Sequence, residues 1–303
     1  MKKVVKFGGS SVANAGQFKK VADIIKSDKS RRYIVVSAPG KSNPKDEKIT
    51  DLLYKLYDEI TTEKSYKKTM DKISKKYTSI VDDLGLKFNI EYELDKIERD
   101  IKDGAGRDYA ASRGEYLCAH MMAEYLGADF IDSADMIIFN EDGTVEYDKT
   151  YEEIAKTLEN VKKAVVPGFY GSLEDGSIKT FTRGGSDVTG SLIAKAVMAD
   201  MYENWTDVSG FMVADPRIVK NPKVIETVTY SELRELSYMG ASVLHEDAFF
   251  PVRKDGIPIH IKNTNDPEAS GTLIVESTCK NSKYMITGIA GKKGFCSVNI
   301  DQP

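Results

Sequence analysis

Apolar positions along the chain follow two rhythms. Short, mostly apolar runs, namely Val4 to Phe7, Tyr33-Ile34-Val35-Val36, Phe130-Ile131, Ala164-Val165-Val166 and Ile257-Pro258-Ile259-His260-Ile261, have the length and β-branching of strands buried on both faces. Between them the spacing turns helical, with Phe18, Val21, Ala22 and Ile25 recurring on one face from about residue 16 to 26. From 50 to 105 lysine and glutamate surround scattered Leu, Ile and Tyr, which predicts a helical insertion packed on one side and wet on the other. Asp and Glu interleave with Lys throughout it, so a solvated helix face is a better reading than a nucleic-acid surface. Strands alternating with helices predict an α/β protein with a mainly parallel central sheet covered on both faces.

Composition narrows the classes. The 303 residues carry 43 Lys+Arg against 47 Asp+Glu, a net charge of −4. Such a balance supplies no field for a nucleic-acid backbone or an anionic membrane, so an anionic substrate has to be caught by local groups. Hydrophobic residues make up 41% and charged residues 30%, as expected of a globular chain. The three cysteines, Cys118, Cys279 and Cys296, form no CxxC pair and suggest neither a disulfide framework nor a zinc ribbon. With no signal-peptide pattern and no apolar stretch of membrane-spanning length, a cytoplasmic protein is expected.

Candidate chemistry gathers at turns that follow strands. Lys6-Phe7-Gly8-Gly9-Ser10-Ser11 lies between a strand and a helix, where open parallel sheets bind ligands. Two glycines let backbone N–H groups approach an oxyanion, and Lys6 adds a full charge. Taken alone, a Gly-Gly pair reads more readily as a structural turn. Thr182-Arg183-Gly184-Gly185-Ser186-Asp187 opens a second helical pattern; Arg183 offers a fork for a carboxylate, while Ser186 and Asp187 also suit helix capping. In a third cluster, Trp205-Thr206-Asp207 and Asp215-Pro216-Arg217, Asp207 suits a ribose and Arg217 phosphate oxygens, although both are common turn residues. Trp205 beside a strand reads as core rather than as an adenine stack. There is no GxxxxGK[ST] loop and no protein-kinase catalytic loop. A carboxylate acceptor fits that absence, because a group with a reference pKa of roughly 3.9 is already ionised and needs no general base.

Taken in order, Lys6-Phe7-Gly8-Gly9-Ser10-Ser11, Ile49-Thr50-Asp51-Leu52-Leu53, Ser112-Arg113-Gly114-Glu115, Gly168-Phe169-Tyr170-Gly171, Arg183-Gly184-Gly185-Ser186-Asp187, Thr206-Asp207-Val208, Asp215-Pro216-Arg217 and Gly240-Ala241-Ser242-Val243-Leu244-His245 resemble the motif set of the aspartokinases, within the amino acid kinase superfamily. The resemblance covers nearly the whole chain. It implies a three-layer αβα sandwich of the carbamate kinase-like type and phosphorylation of the side-chain carboxylate of L-aspartate by ATP with Mg2+ carried on the nucleotide, the first step toward lysine, threonine and methionine. By this likeness Lys6, Phe7, Gly8, Gly9 and Ser10 hold phosphates, and Thr206, Asp207 and Arg217 hold the rest of the nucleotide. Thr50, Glu115, Arg183, Gly184, Gly185 and Ser186 hold aspartate, and Lys6 and Asp187 are the catalytic pair. A solvated helical residue is the competing reading of Glu115. Many relatives carry Lys where Ser242 stands. The implied organisation is a catalytic domain over 1–283 and, over 284–303, the start of a truncated ACT regulatory domain; the partners are small molecules, and a homo-oligomer is compatible with the family. Other acceptors of the superfamily (glutamate, acetylglutamate, carbamate or UMP) and a non-catalytic nucleotide-binding subunit are the alternatives.

Overall fold

The computed structural model describes residues 1–182, 184–238, 248–278, 286–291 and 294. Arg183, the 240–245 motif with Ser242 and His245, and most of the 284–303 segment therefore lie outside the described residues.

The chain opens with β1 (Lys3–Phe7), α1 (Ala15–Ser27) and β2 (Arg31–Val36), then runs through α2 (Ile49–Thr61), α3 (Lys67–Leu84), α4 (Ile90–Lys102) and α5 (Arg107–Leu126). Next come β3 (Asp129–Phe130), α6 (Tyr147–Leu158), β4 (Ala164–Pro167), the hairpin β5 (Tyr170–Ser172) and β6 (Ile178–Thr180), α7 (Gly185–Ala196) and β7 (Met201–Thr206). The described part closes with β8 (Thr227–Thr229), α8 (Tyr230–Tyr238), α9 (Phe250–Arg253), β9 (Ile259–Asn263) and β10 (Thr272–Val275). The run predicted from Ile257 thus enters the sheet only at Ile259, after Gly256 has turned the chain at φ 63°.

Among the described residues the main sheet has eight strands in the order β3-β4-β2-β1-β7-β9-β10-β8. All neighbours are parallel except β9 and β10. The chain leaves β1 for β2 on one side and later returns to β7 on the other. β1 is therefore the switch point of the sheet, and the crevice beyond its C-terminal end is where such folds take ligands.

Period-two alternation sorts the strand side chains into two layers. Val5, Phe7, Ile34, Val36 and Trp205 face a core completed by α1 to α5, while Val4, Tyr33, Val35 and Tyr202 face one completed by α6, α7 and α9. Trp205 is core: it stacks on Phe7 and donates its indole N–H to Glu203. Helices α2 to α4 pack by Leu53, Leu56, Tyr77 and Ile97, so the lysine-rich region finishes the first layer. Tyr77 is fully buried and donates its hydroxyl to the carbonyl of Gly114 at 2.9 Å, fastening α3 to α5.

Candidate active site

The strands β1, β2, β4 and β7 end at the same edge, and each contributes a turn. After β1, Gly8 donates its N–H to the Trp205 carbonyl and Ser11 donates to Gly8 in a short 3-10 turn. After β2, Gly40 donates to Gly9 at 2.8 Å. A Cβ on Gly40 would lie 2.6 Å from the Gly9 carbonyl carbon, so the two turns abut only because this residue has no side chain. After β4, Gly168 bonds to the Val36 carbonyl, and a Cβ there would sit 2.6 Å from Oγ of Ser186 in the first turn of α7. Phe169 follows at φ 81°, a left-handed conformation rare for an aromatic residue; its N–H is held by Thr189 Oγ1 and its carbonyl by Phe181 N–H. Gly184, at φ 57°, is the N-cap of α7.

The glycine turns far apart in the sequence do converge. Lys6 projects to the α7 face, and its Nζ lies 2.6 Å from Oδ1 of Asp187, with 9% and 19% of the two side chains exposed. Asn204 Nδ2 donates to the same oxygen at 2.8 Å. The sheet edge thus holds an ammonium and a carboxylate beside the N-terminus of α7, an arrangement suited to anions.

Across the edge, on the other face, α5 presents Glu115. This residue is 5% exposed, which rules out the solvated reading, and its Oε2 has no hydrogen-bond partner. Burial pushes its carboxyl up to about 8, against the pull of the Ala38 N–H, its own N–H and the nearby Arg113 guanidinium. A Cβ on Gly114 would stand 2.9 Å from the Ala38 side chain, so α5 lies close against the β2 turn. Arg113 itself is buried under the rings of Tyr109, Tyr116 and Tyr170 and donates to Ser112 Oγ. Thr50 sits in the first turn of α2, next to Ile49, which also borders Gly114.

The nucleotide candidates of the third cluster are less tightly drawn in. Thr206, ending β7, shares a hydrogen bond with Asp207 at 3.2 Å, and its carbonyl accepts from Thr264. Arg217 is 85% exposed at its side chain and is bonded to Asp215 within its own turn; no contact joins it to Lys6 or Asp187 among the described residues. Sequence reasoning missed Gly40, Ala38 and Asn204. The signal for Asn204 was present, since Glu203 and Asn204 interrupt a strand otherwise built of large apolar residues.

Magnesium is usually held by one or two carboxylates together with substrate phosphates rather than by a protein cage. Among the described residues no three His, Cys, Asp or Glu side chains gather as a metal cage. Asp187 fits the phosphate-borne arrangement, because both of its described side-chain contacts fall on Oδ1 and Oδ2 takes none.

An eight-stranded, mostly parallel sheet with helices on both faces and a candidate anion site at its switch point defines the class: an open, mostly parallel α/β fold. A sequence profile of the Amino acid kinase family matches residues 1–263. Aspartokinase 3 of Bacillus subtilis is 38% identical over 317 residues, covering 99% of this chain and 69% of that protein. The structure of Clostridium acetobutylicum aspartate kinase superposes with a TM-score of 0.89 at 53% identity, over 95% of this chain and 66% of that one. Escherichia coli aspartokinase III, solved with aspartate and ADP, gives a TM-score of 0.79 at 28% identity, over 92% of this chain and 66% of that one. The chain belongs to the aspartokinases of the amino acid kinase family, and it spans about two thirds of the length of these relatives. Among the described residues no helix is long and apolar enough to cross a membrane.

Proposed function

We propose that this chain transfers the γ-phosphoryl group of ATP to the side-chain carboxylate of L-aspartate. The observation that carries the reading is the Lys6–Asp187 contact at the switch point, with the buried Glu115 carboxyl, one oxygen of which has no partner, across the same sheet edge. The carboxylate oxygen of aspartate attacks the γ-phosphorus, the bond to the bridging oxygen breaks, and ADP leaves with the electron pair. No proton has to be removed, so the difficulty is repulsion between two anions. Lys6 faces that charge, and Asp187 holds the ammonium in place. The amides of Gly9 and Ser10 donate to phosphate oxygens beside Phe7, Gly8 turns the chain with its own N–H on the Trp205 carbonyl, and Thr206, Asp207 and Arg217 take the nucleoside side once Arg217 leaves Asp215. Mg2+ carried on ATP would meet Asp187 on the protein side and would supply further neutralisation of the phosphates.

Glu115 accepts from the substrate ammonium, which an enclosed carboxyl does well once ionised. Thr50 and Ser186, with Gly184, Gly185 and Arg183, hold the carboxylates of aspartate. A carboxylate on a flexible glutamate side chain one methylene longer misplaces the nucleophile in such a site. The test is coupled ADP release with ATP-Mg and each acceptor in turn. Aspartate is expected to stimulate ADP release strongly, and glutamate, acetylglutamate, carbamate and UMP are not; equal stimulation by any of these overturns the acceptor assignment.

A further inference from the structure

We infer that Asn204 is a positioning residue for the transfer step, fixing the Asp187 carboxylate so that one oxygen stays on Lys6 and the other stays open toward the nucleotide. This rests on the phosphotransfer reading above. Strands β1 and β7 run parallel with Lys6 directly paired to Asn204, and paired residues of neighbouring strands project to the same face. Tyr202, two residues earlier, lies in the core of the α7 layer, whereas Trp205 lies in the opposite layer. Lys6 and Asn204 therefore stand side by side beneath α7, and both reach Oδ1 of Asp187, at 2.6 Å and 2.8 Å.

Asn204 is 4% exposed in the middle of a strand covered on both faces. An amide there has to find hydrogen bonds to offset its lost hydration, and an aliphatic side chain would pack without that requirement. The bond it makes is charge-assisted and ends on the site carboxylate. The same strand also grips the backbone of Asp187: Tyr202 donates its hydroxyl to the Asp187 carbonyl at 3.0 Å, and its ring lies so close to Gly190 that a Cβ there would be 2.6 Å from the hydroxyl oxygen. Among the described residues, loss of Asn204 leaves the carboxylate tethered by a flexible ammonium, and the two charged side chains can rotate together away from the attack line.

The test uses Asn204→Leu, which keeps the branched shape but is bulkier and cannot hydrogen-bond, and Asn204→Asp, close in shape and size but presenting a like charge to Asp187; Asn204→Ser serves if neither folds. For Asn204→Leu with ATP-Mg, kcat is expected to fall roughly 10- to 100-fold, as for a misplaced reacting group, with the aspartate KM within about twofold. Asn204→Asp is expected to lose more, while circular dichroism melts stay close to the parent. A crystal structure of Asn204→Leu is expected to show the Asp187 carboxylate rotated off Lys6. Unchanged kcat, or a loss that merely tracks a collapsed melt with Asp187 unmoved, overturns the proposal. Should the parent chain fail to turn over aspartate, the acceptor assignment is lost while the carboxylate position in the variant crystal still decides the role of Asn204.

Discussion

Lys6 and Asp187 come from opposite halves of the chain, yet the ammonium of one lies 2.6 Å from the carboxylate of the other at the mouth of a parallel sheet. Neither side chain is more than one fifth exposed, so the pair is held by the fold rather than by chance surface contact. Removing the ammonium leaves a partly buried carboxylate uncompensated and takes away the charge that faces the transferring phosphoryl. Lys6→Ala is expected to lower kcat by about 10²–10³-fold or more, the scale of losing one preorganised stabilising group. Steady-state ADP release checks the rate, and a circular dichroism spectrum like the parent's checks the fold; rates within threefold of the parent remove Lys6 from the mechanism.

Glu115 makes the protein pH-sensitive in a defined direction. Its carboxyl is raised from 4.5 to about 8 in the folded chain, so between those values the folded state holds a proton that the unfolded state has released. Stability from this group is therefore highest at acid pH and declines as pH rises through that window. Thermal melts at pH 5.5 and 8.5 are expected to differ in that sense, and the difference is expected to shrink in Glu115→Gln.

In the proposed reaction the same group would tie substrate binding to proton release. An ammonium placed on Glu115 favours the ionised form, so aspartate binding near pH 7 is expected to expel a proton and to tighten as pH approaches 8. Calorimetry in buffers of different ionisation enthalpy reads the proton directly. Proton release of the same size from Glu115→Gln would place the coupling elsewhere.

Close approach of the β1 and β2 turns depends on Gly40. Gly40→Ala drives a Cβ to within 2.6 Å of the Gly9 backbone, which cannot yield without moving the phosphate turn. A loss of about 1–3 kcal/mol in stability is expected, as for other overpacked sites, together with a raised KM for ATP. Urea melts and nucleotide titrations measure the two; an unaltered KM for ATP would show that the turn does not bear on the nucleotide.

A structural hydrogen bond supports the acceptor side. Tyr77→Phe removes the donor to the Gly114 carbonyl, which keeps its helical partner within α5, and is expected to cost about 0.5–1.5 kcal/mol, the net value of one hydrogen bond. Aspartate KM is expected to rise more than ATP KM; the reverse order would separate α3 from the substrate site.

Much of the architecture was legible because buried parallel strands write themselves as mostly apolar runs, continuous at Tyr33 to Val36 and broken by Lys6 alone at Val4 to Phe7. The short hairpin β5–β6 was not, since Tyr170–Ser172 and Ile178–Thr180 are too brief for any period to show. Of the site, Lys6, Ser186 and Asp187 were visible as polar residues at glycine turns. Glu115 was harder, because α5 is buried almost all round and its sequence lacks the one-sided pattern that separates core from surface. Asn204 escaped because its role depends on sheet register, which brings it beside Lys6 only once β1 and β7 are paired. Arg217 illustrates the converse: a phosphate-binding side chain is suggested by its motif, while in the structure it rests on Asp215.

The most direct measurement is 31P NMR of the chain incubated with ATP-Mg and L-aspartate. An acyl phosphate resonance growing in step with ADP, and vanishing on addition of hydroxylamine, is the predicted result. ADP that accumulates equally with and without aspartate, with no acyl phosphate signal, would contradict the account.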